Sequence, residues 1–313
     1  MISYIAKRLG TGIVLALLVV FITFLLIGTM VEDVARTILG QSATPETTAA
    51  LMAAKGWDRP VPVQYWDWLV AAVQGDFGQS VYTSLPVGPA VADRLAVTLS
   101  IIVPALLLTV VISVCLGVWS ASRGGAADRI AQGLSLTGYV VPGLLLAIGL
   151  VVLLAVQLKW LPATGYTPLA DDPVGWLRSI TIPVVVLTIG GVANLTAQVR
   201  GRMIDELRKD YVRTLRTRGV SSTAIIVKHA LRNAGSPALT VLSLEFIQML
   251  GGALIIENVF ALPGYGSYAF NAALQGDIPV ILGITAFGVA LVTVVNLATD
   301  LANGWLNPKA RVQ

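Results

Sequence analysis

Along the whole chain, long uncharged runs wide enough for a bilayer alternate with shorter charged segments. Residues 9–30 carry no charged side chain over 22 positions, and at about 1.5 Å of helical rise per residue such a run crosses a hydrocarbon core about 30 Å thick. Lys7 and Arg8 precede it. The apolar stretch is too long for a signal peptide and no small-residue cleavage pattern follows, which predicts an uncleaved first span. Further apolar runs cover residues 95–119, 130–158, 179–199, 238–256 and 278–306, with Glu245 interrupting the fifth span and Asp300 near the end of the sixth. Pro104, Pro142 and Pro183 fall inside spans, where neighbouring helices can satisfy the backbone groups that proline frees. The pattern predicts an all-α polytopic membrane protein with six transmembrane helices: a first span at 1–30, an extracytoplasmic region outside the membrane at 31–94, and a five-helix core at 95–313 that includes the polar passage at about 200–237.

Polar residues gather in two places. Within 31–94, Thr44-Pro45-Glu46 reads as a helix start and Gly56 as a stop, and Trp57, Tyr65, Trp66 and Trp68 cluster as aromatic residues do at a membrane interface. This region is either a lid packed on the spans or a docking and gating surface. The second polar passage, residues 200–237, predicts two short amphipathic helices joined at Gly219. Asp205 and Glu206 would open the first helix and Arg216 and Arg218 close it, the order a helix dipole favours. Leu207, Tyr211 and Leu215 recur every four residues opposite Arg208, Lys209, Arg213 and Arg216. Ser221 or Ser222 can cap the second helix, in which Val227, Ala230 and Leu231 share one face while Lys228 and Arg232 lie a turn apart on another. A basic elbow of this kind between two spans is a handle for a partner.

Composition and charge sharpen the picture. The 313 residues are 56% hydrophobic and 12% charged, with a mean hydropathy of +0.79, against about 25% charge in soluble domains. One cysteine (Cys115), one histidine (His229) and the absence of a phosphate-loop motif leave no disulfide, no histidine-based zinc site and no nucleotide site in the chain. No nucleic-acid partner, metal or catalytic set is expected. Of 21 Lys and Arg residues, 15 fall on the N-terminus, the 120s loop, the handle and the C-terminus, and the other six on the opposite side, which predicts that both termini and the handle are cytoplasmic. A charge in mid-membrane costs about 2.5–3.5 kcal/mol, so Glu245 is a functional candidate by default. Asn194, Gln198 and Gln248 are further candidates for a translocation path. Paired glycines at 190–191 and 251–252 predict close helix approach.

These residues resemble a known family. Asp210-Tyr211-Val212-Arg213-Thr214, Arg218-Gly219 and Lys228-His229-Ala230-Leu231-Arg232-Asn233 resemble the cytoplasmic EAA loop of ABC importer permeases, and more narrowly the B-type subunits of the peptide and nickel permease family. Tyr4 with Lys7-Arg8-Leu9, Asp58-Arg59-Pro60, Gln64-Tyr65, Gly75-Asp76-Phe77-Gly78, and Arg94 with Thr98-Leu99 extend the likeness. So do Gly251-Gly252-Ala253, Glu257, Phe260, Pro263-Gly264, Gly266, Asn296, Asp300 and Asn307-Pro308. Thr217 departs from the alanine common there, and Ser236 is a second departure bearing on docking geometry.

The resemblance implies a type I ABC importer permease fold in the inner membrane of a bacterium or archaeon. It implies partners: a second homologous permease, two ATPase subunits that carry ATP and Mg, an extracytoplasmic substrate-binding protein, and the surrounding lipid. By the same resemblance, Arg213, Arg216, Arg218, Gly219, Ser221, Ser222, Lys228, His229, Arg232 and Asn233 are candidates for ATPase coupling, with residues 221–233 forming the coupling helix. Asp76, Glu257, Tyr265 and Asp277 are candidates for docking the binding protein. Peptides are the expected cargo; nickel or glutathione fit the same pattern. A self-powered, ion-driven secondary transporter and a lipid-binding scaffold are the competing readings.

Overall fold

The computed structural model describes the backbone of residues 2–306, and the side chains of these except at 2–5, 235–240 and 303–306. The family matches at Tyr4 and Asn307-Pro308, the departure at Ser236, and the basic residues Lys309 and Arg311 lie, in whole or in side chain, outside the described residues.

Helices α1 (Ile2–Gly28), α2 (Val31–Leu39), α3 (Pro45–Lys55) and α4 (Val61–Val73) lead into α5 (Val87–Arg123), α6 (Gly125–Val140) and α7 (Gly143–Leu150), which continues as a π-helical turn (Val151–Gln157). After α8 (Pro173–Leu207) and α9 (Asp210–Thr217) come the single turn α10 (Ser222–Ala224), a π-helical turn (Ile225–Ala230), α11 (Leu231–Val259), α12 (Tyr265–Gln275) and α13 (Ile278–Leu306). Among the described residues, α1, α5, α8, α11 and α13 each hold a run long and apolar enough to cross a membrane, and α6 with α7 supplies a sixth if the bent pair is one span.

That pair departs from the uniform run read at 130–158, because the chain bends by 94° there. A proline disfavours helical geometry in the residue before it, and Val141 accordingly takes φ −76° and ψ 117°, so α6 stops ahead of Pro142. Pro104 and Pro183, by contrast, sit inside continuous helices.

The described residues form two compact units, one up to Ala96 together with Gly264–Leu297, the other Val97–Pro263 together with the residues from Ala298. In the first, Val20 and Phe24 of α1, Val31 and Val34 of α2, and Ile278 and Leu282 of α13 form a buried cluster onto which Trp57, Tyr65 and Trp68 pack. Phe24 meets Tyr65 and Trp68 edge-on at 5.7 and 5.9 Å, a favoured aromatic geometry. Residues of 31–94 thus pack on the first span, while Trp66 stays 63% exposed. Thr44 caps α3 through a reciprocal pair of bonds with Thr47, and α3 ends at Gly56 as the sequence predicts.

In the second unit, Leu195, Val199 and Met203 of α8 are buried against Ala230 and Ala234, with Val110, Val114 and Val118 of α5 packed around them. Helix α8 is the spine of this unit: α6, α7 and α11 all lie along it. Both candidate regions in the membrane and at the elbow are therefore hung on α8.

Candidate functional site

The elbow begins where α8 stops. The sequence places Asp205 and Glu206 at the start of a handle helix, but they occupy the last turn of α8, where acids oppose the dipole. The chain breaks after Leu207, takes an extended turn at Lys209 (φ −68°, ψ 150°) and restarts as α9. The break lets Glu206, which is buried, accept from the Lys209 ammonium at 2.5 Å and from the Tyr211 hydroxyl at 2.9 Å. Asn233 donates to the Tyr211 oxygen at 3.4 Å, so α8, α9 and α11 meet in one polar knot. The Glu206 carboxylate holds the Lys209 ammonium above its ordinary pKa, and burial pushes the Tyr211 hydroxyl up. Tyr211, Lys209 and Asn233 are legible in the sequence as polar residues; that they converge on Glu206 is not, since the convergence needs the break at 208–209.

Helix α9 closes with both bonds of a Schellman motif: Val220 N–H donates to Leu215 C=O at 3.1 Å and Gly219 N–H to Arg216 C=O at 3.0 Å. This requires Gly219 at φ +78°, in the left-handed region, and nothing lies within 4 Å of where a side chain would begin. Two residues later the Ser221 hydroxyl accepts from Ala224 N–H at 3.4 Å, which makes Ser221 the cap and Ser222 the first helical residue.

The next turn is π-helical, and its wider spacing buries Ile225 and Ala230 together, five residues apart. The face predicted for Val227, Ala230 and Leu231 is therefore divided: Ala230 is buried, Leu231 half-buried, and Val227 58% exposed. Val227 stands at the surface with Lys228 and Arg232, and His229 is half-buried. Arg213, Arg216, Arg218 and Asn233 are exposed, Arg213 facing Asp210 loosely at 3.8 Å.

Inside the second unit, Asn194 Nδ2 donates to Glu245 Oε2 at 2.9 Å, and Gln198 Nε2 lies 3.4 Å from Asn194 Oδ1. Gln248 joins Glu245 on the wall of a cavity of about 350 Å³ between α7, α8 and α11, and Asn194 and Gln198 border another of about 360 Å³. At the rim of the second cavity Arg200 grips Asp128 with both guanidinium donors, tying α8 to α6, while Ser120 and Gln132 also donate to Asp128.

Of the paired glycines, only Gly191 makes a tight approach. A side chain there would begin 2.8 Å from Met249 Cε and 2.9 Å from both Glu245 Oε1 and Thr109 Cγ2, whereas Gly190 and Gly251 have nothing within 4 Å and Gly252 meets Leu187 at 3.8 Å. We expect Gly191→Ala to destabilise the purified protein by about 1–3 kcal/mol through overpacking, and Gly251→Ala to leave thermal unfolding in detergent unchanged.

Three of the four docking candidates are buried. Asp277 accepts from the Ser80 hydroxyl at 2.5 Å and from Val81 N–H at 3.1 Å, and Tyr82 donates to the Gln275 carbonyl, so Asp277 holds the 76–86 loop down. Tyr265 donates to the Ile284 carbonyl at 2.6 Å. Glu257, wholly buried, accepts from Thr98 at 2.5 Å. Only Asp76 is exposed, and its carboxylate accepts from Gly78 N–H. Each buried member is bonded within a loop or at a helix junction.

Comparison with known proteins gives the family. Residues 113–312 match the family described as binding-protein-dependent transport system inner membrane component, and residues 1–102 match its N-terminal counterpart. A Brucella abortus (strain 2308) protein named "Putative peptide transport system permease protein" is 36% identical over 312 residues, covering 99% of each chain. The glutathione transport system permease protein of Salmonella choleraesuis (strain SC-B67) is 34% identical over 315 residues, again covering 99% of each. Among solved structures, the MetNI methionine ABC transporter in an inward-facing conformation matches with a TM-score of 0.53 at 15% identity, covering 69% of this chain and 96% of that one. Its likeness is one of fold. With matches over almost its full length, this chain belongs to the binding-protein-dependent transport system inner membrane components, and is an integral membrane permease subunit of an ABC importer.

Proposed function

We propose that this permease takes up peptides handed to it by an extracytoplasmic binding protein. It works as one of two homologous permeases, each driven through its elbow by an ATPase subunit. Both termini and the elbow face the cytoplasm, where the excess of Lys and Arg lies. The observation that carries the reading is the elbow itself: a Schellman stop, a serine cap and a buried polar knot hold an exposed Val227 among basic residues in a fixed place at the end of α8. A rigid surface of this kind, carrying no catalytic set, is suited to be pushed by a motor. ATP-driven closure of the ATPases would bias α8 and its neighbours between two arrangements, which is the two-state element coupling requires. The names of the relatives favour peptides as cargo.

A photo-cross-linker placed at Val227 in the assembled transporter tests the assignment. The expected product is an adduct with the ATPase subunit, formed in membranes whose cytoplasmic face is open. Adducts with lipid or with an extracytoplasmic protein, and none with the ATPase, would sink the reading.

A further inference from the structure

We propose that the cavity beside Glu245 binds an organic ammonium group, the N-terminal –NH3+ of a peptide being the example that peptide import supplies; the proposal rests on reading the chain as an importer permease. Glu245 is 4% exposed, and the one partner its carboxylate has among the described residues is the neutral amide of Asn194 on Oε2. None of the ion pairs found among the described residues includes it. Its other oxygen, Oε1, lies 2.9 Å from the point at which a Gly191 side chain would start, and the Thr109 methyl approaches the same point at the same distance.

Thr109 supplies an independent sign. Its hydroxyl, with those of Ser113 one turn along α5 and Thr196 on α8, is buried and has no hydrogen-bond partner. Buried polar atoms are rarely left so, and the Glu245 carboxylate, one oxygen of which shares the Gly191 surroundings with the Thr109 methyl, is bonded among the described residues only through its other oxygen. The cavity that Glu245 and Gln248 border holds about 350 Å³, room for the charged end of a solute rather than a whole oligopeptide. Gly190 and Gly191 line the same cavity, and Gly190 has nothing within 4 Å of where a side chain would begin.

The chemistry selects the ligand class. An ammonium brings three donors and no acceptor, matching a carboxylate and the Gln248 amide oxygen on one cavity wall. An anion would meet Glu245 as a like charge. A dehydrated divalent metal needs several charged or imidazole ligands, and among the described residues no group of three or more His, Cys, Asp and Glu side chains is close enough to hold one. Glu245 thus gives the path a preference for solutes carrying a positive end.

The test uses the assembled transporter in membrane vesicles, with exposed Cys115 changed to Ala and Gln248→Cys as reporter. Two thiosulfonate reagents of similar size are compared, one bearing trimethylammonium and the other sulfonate, each rate divided by that for a free thiol in solution. With Glu245 present the ammonium reagent is expected to react at least about tenfold faster, the focusing effect of a charge in a low-dielectric cleft. In Glu245→Gln the ratio falls close to one. An unchanged ratio in Glu245→Gln overturns the proposal. So does failure of both reagents to reach both Gln248→Cys and a second reporter, Ile255→Cys, on the same wall. Labelling needs neither ATP nor delivered substrate, so its failure leaves the importer reading standing, whereas a missing ATPase adduct at Val227 removes that reading itself.

Discussion

Gly219→Val is expected to strip the ATPase subunit from the purified permease while leaving the permease inserted in the membrane. The cause is conformational and not steric, since no atom lies within 4 Å of the position a side chain would take. At φ +78° a residue with a branched side chain costs about 1–2 kcal/mol, which shifts the balance between the bent elbow and other conformations about 5–30-fold. Both Schellman bonds, from Val220 to Leu215 and from Gly219 to Arg216, depend on that conformation, and so does the placement of Ser221 as cap two residues on. Gly219→Asn is the control, because asparagine tolerates the left-handed region and should retain most of the bound ATPase. The measurement is the amount of ATPase recovered with each tagged variant from mild detergent, against equal amounts of permease. Equal recovery with Val and with wild type would show that docking does not use the elbow.

How much of this was legible in the sequence depended on whether the signal was local. Gly219, Gly56 and Thr44 are read correctly because caps and stops are decided within a few residues by backbone geometry. The spans are legible because the lipid imposes length and apolarity on each one separately. What failed needed a longer view. Periodicity carried Leu207 into the same helix as Tyr211 and Leu215, yet the buried Glu206 draws Lys209 and Tyr211 back and the helix breaks between them. A spacing of 3.6 puts Val227 on one face with Ala230 and Leu231, and the π-helical turn from Ile225 to Ala230 changes the register and leaves Val227 exposed. The apolar run at 130–158 reads as straight because apolarity does not report direction, and the chain bends at Pro142. In the membrane, Glu245 and Asn194 stood out as costly polar groups, but their pairing across α8 and α11, 51 residues apart in the chain, is a tertiary fact. Glu257, Tyr265 and Asp277 are candidates by resemblance alone, and their burial is likewise a tertiary fact.

Glu206→Leu is expected to separate docking from transmission. Its carboxylate is buried at the end of α8 and accepts from Lys209 on the approach to α9 and from Tyr211 within it, while Asn233 of α11 reaches the same tyrosine. A hydrogen bond to a charged group contributes about 1.5–3 kcal/mol, so losing this acceptor removes the strongest link between the elbow and the span that carries it. The Schellman stop and the Ser221 cap lie beyond the knot and do not use it. The ATPase should therefore still bind, and ATP should still be hydrolysed, but movement of the elbow would be taken up at the 208–209 break instead of being passed to α8. In vesicles this appears as substrate uptake per ATP falling severalfold at near-normal ATPase recovery, the opposite of Gly219→Val, in which both fall together. Tyr211→Phe removes one neutral donor and keeps the ring packed, and should cost about 0.5–1.5 kcal/mol with a correspondingly smaller loss of coupling. If Glu206→Leu instead releases the ATPase as completely as Gly219→Val does, then the knot forms part of the docking surface, and the link from elbow to span must be sought in the apolar contacts of Met203 and Ala230.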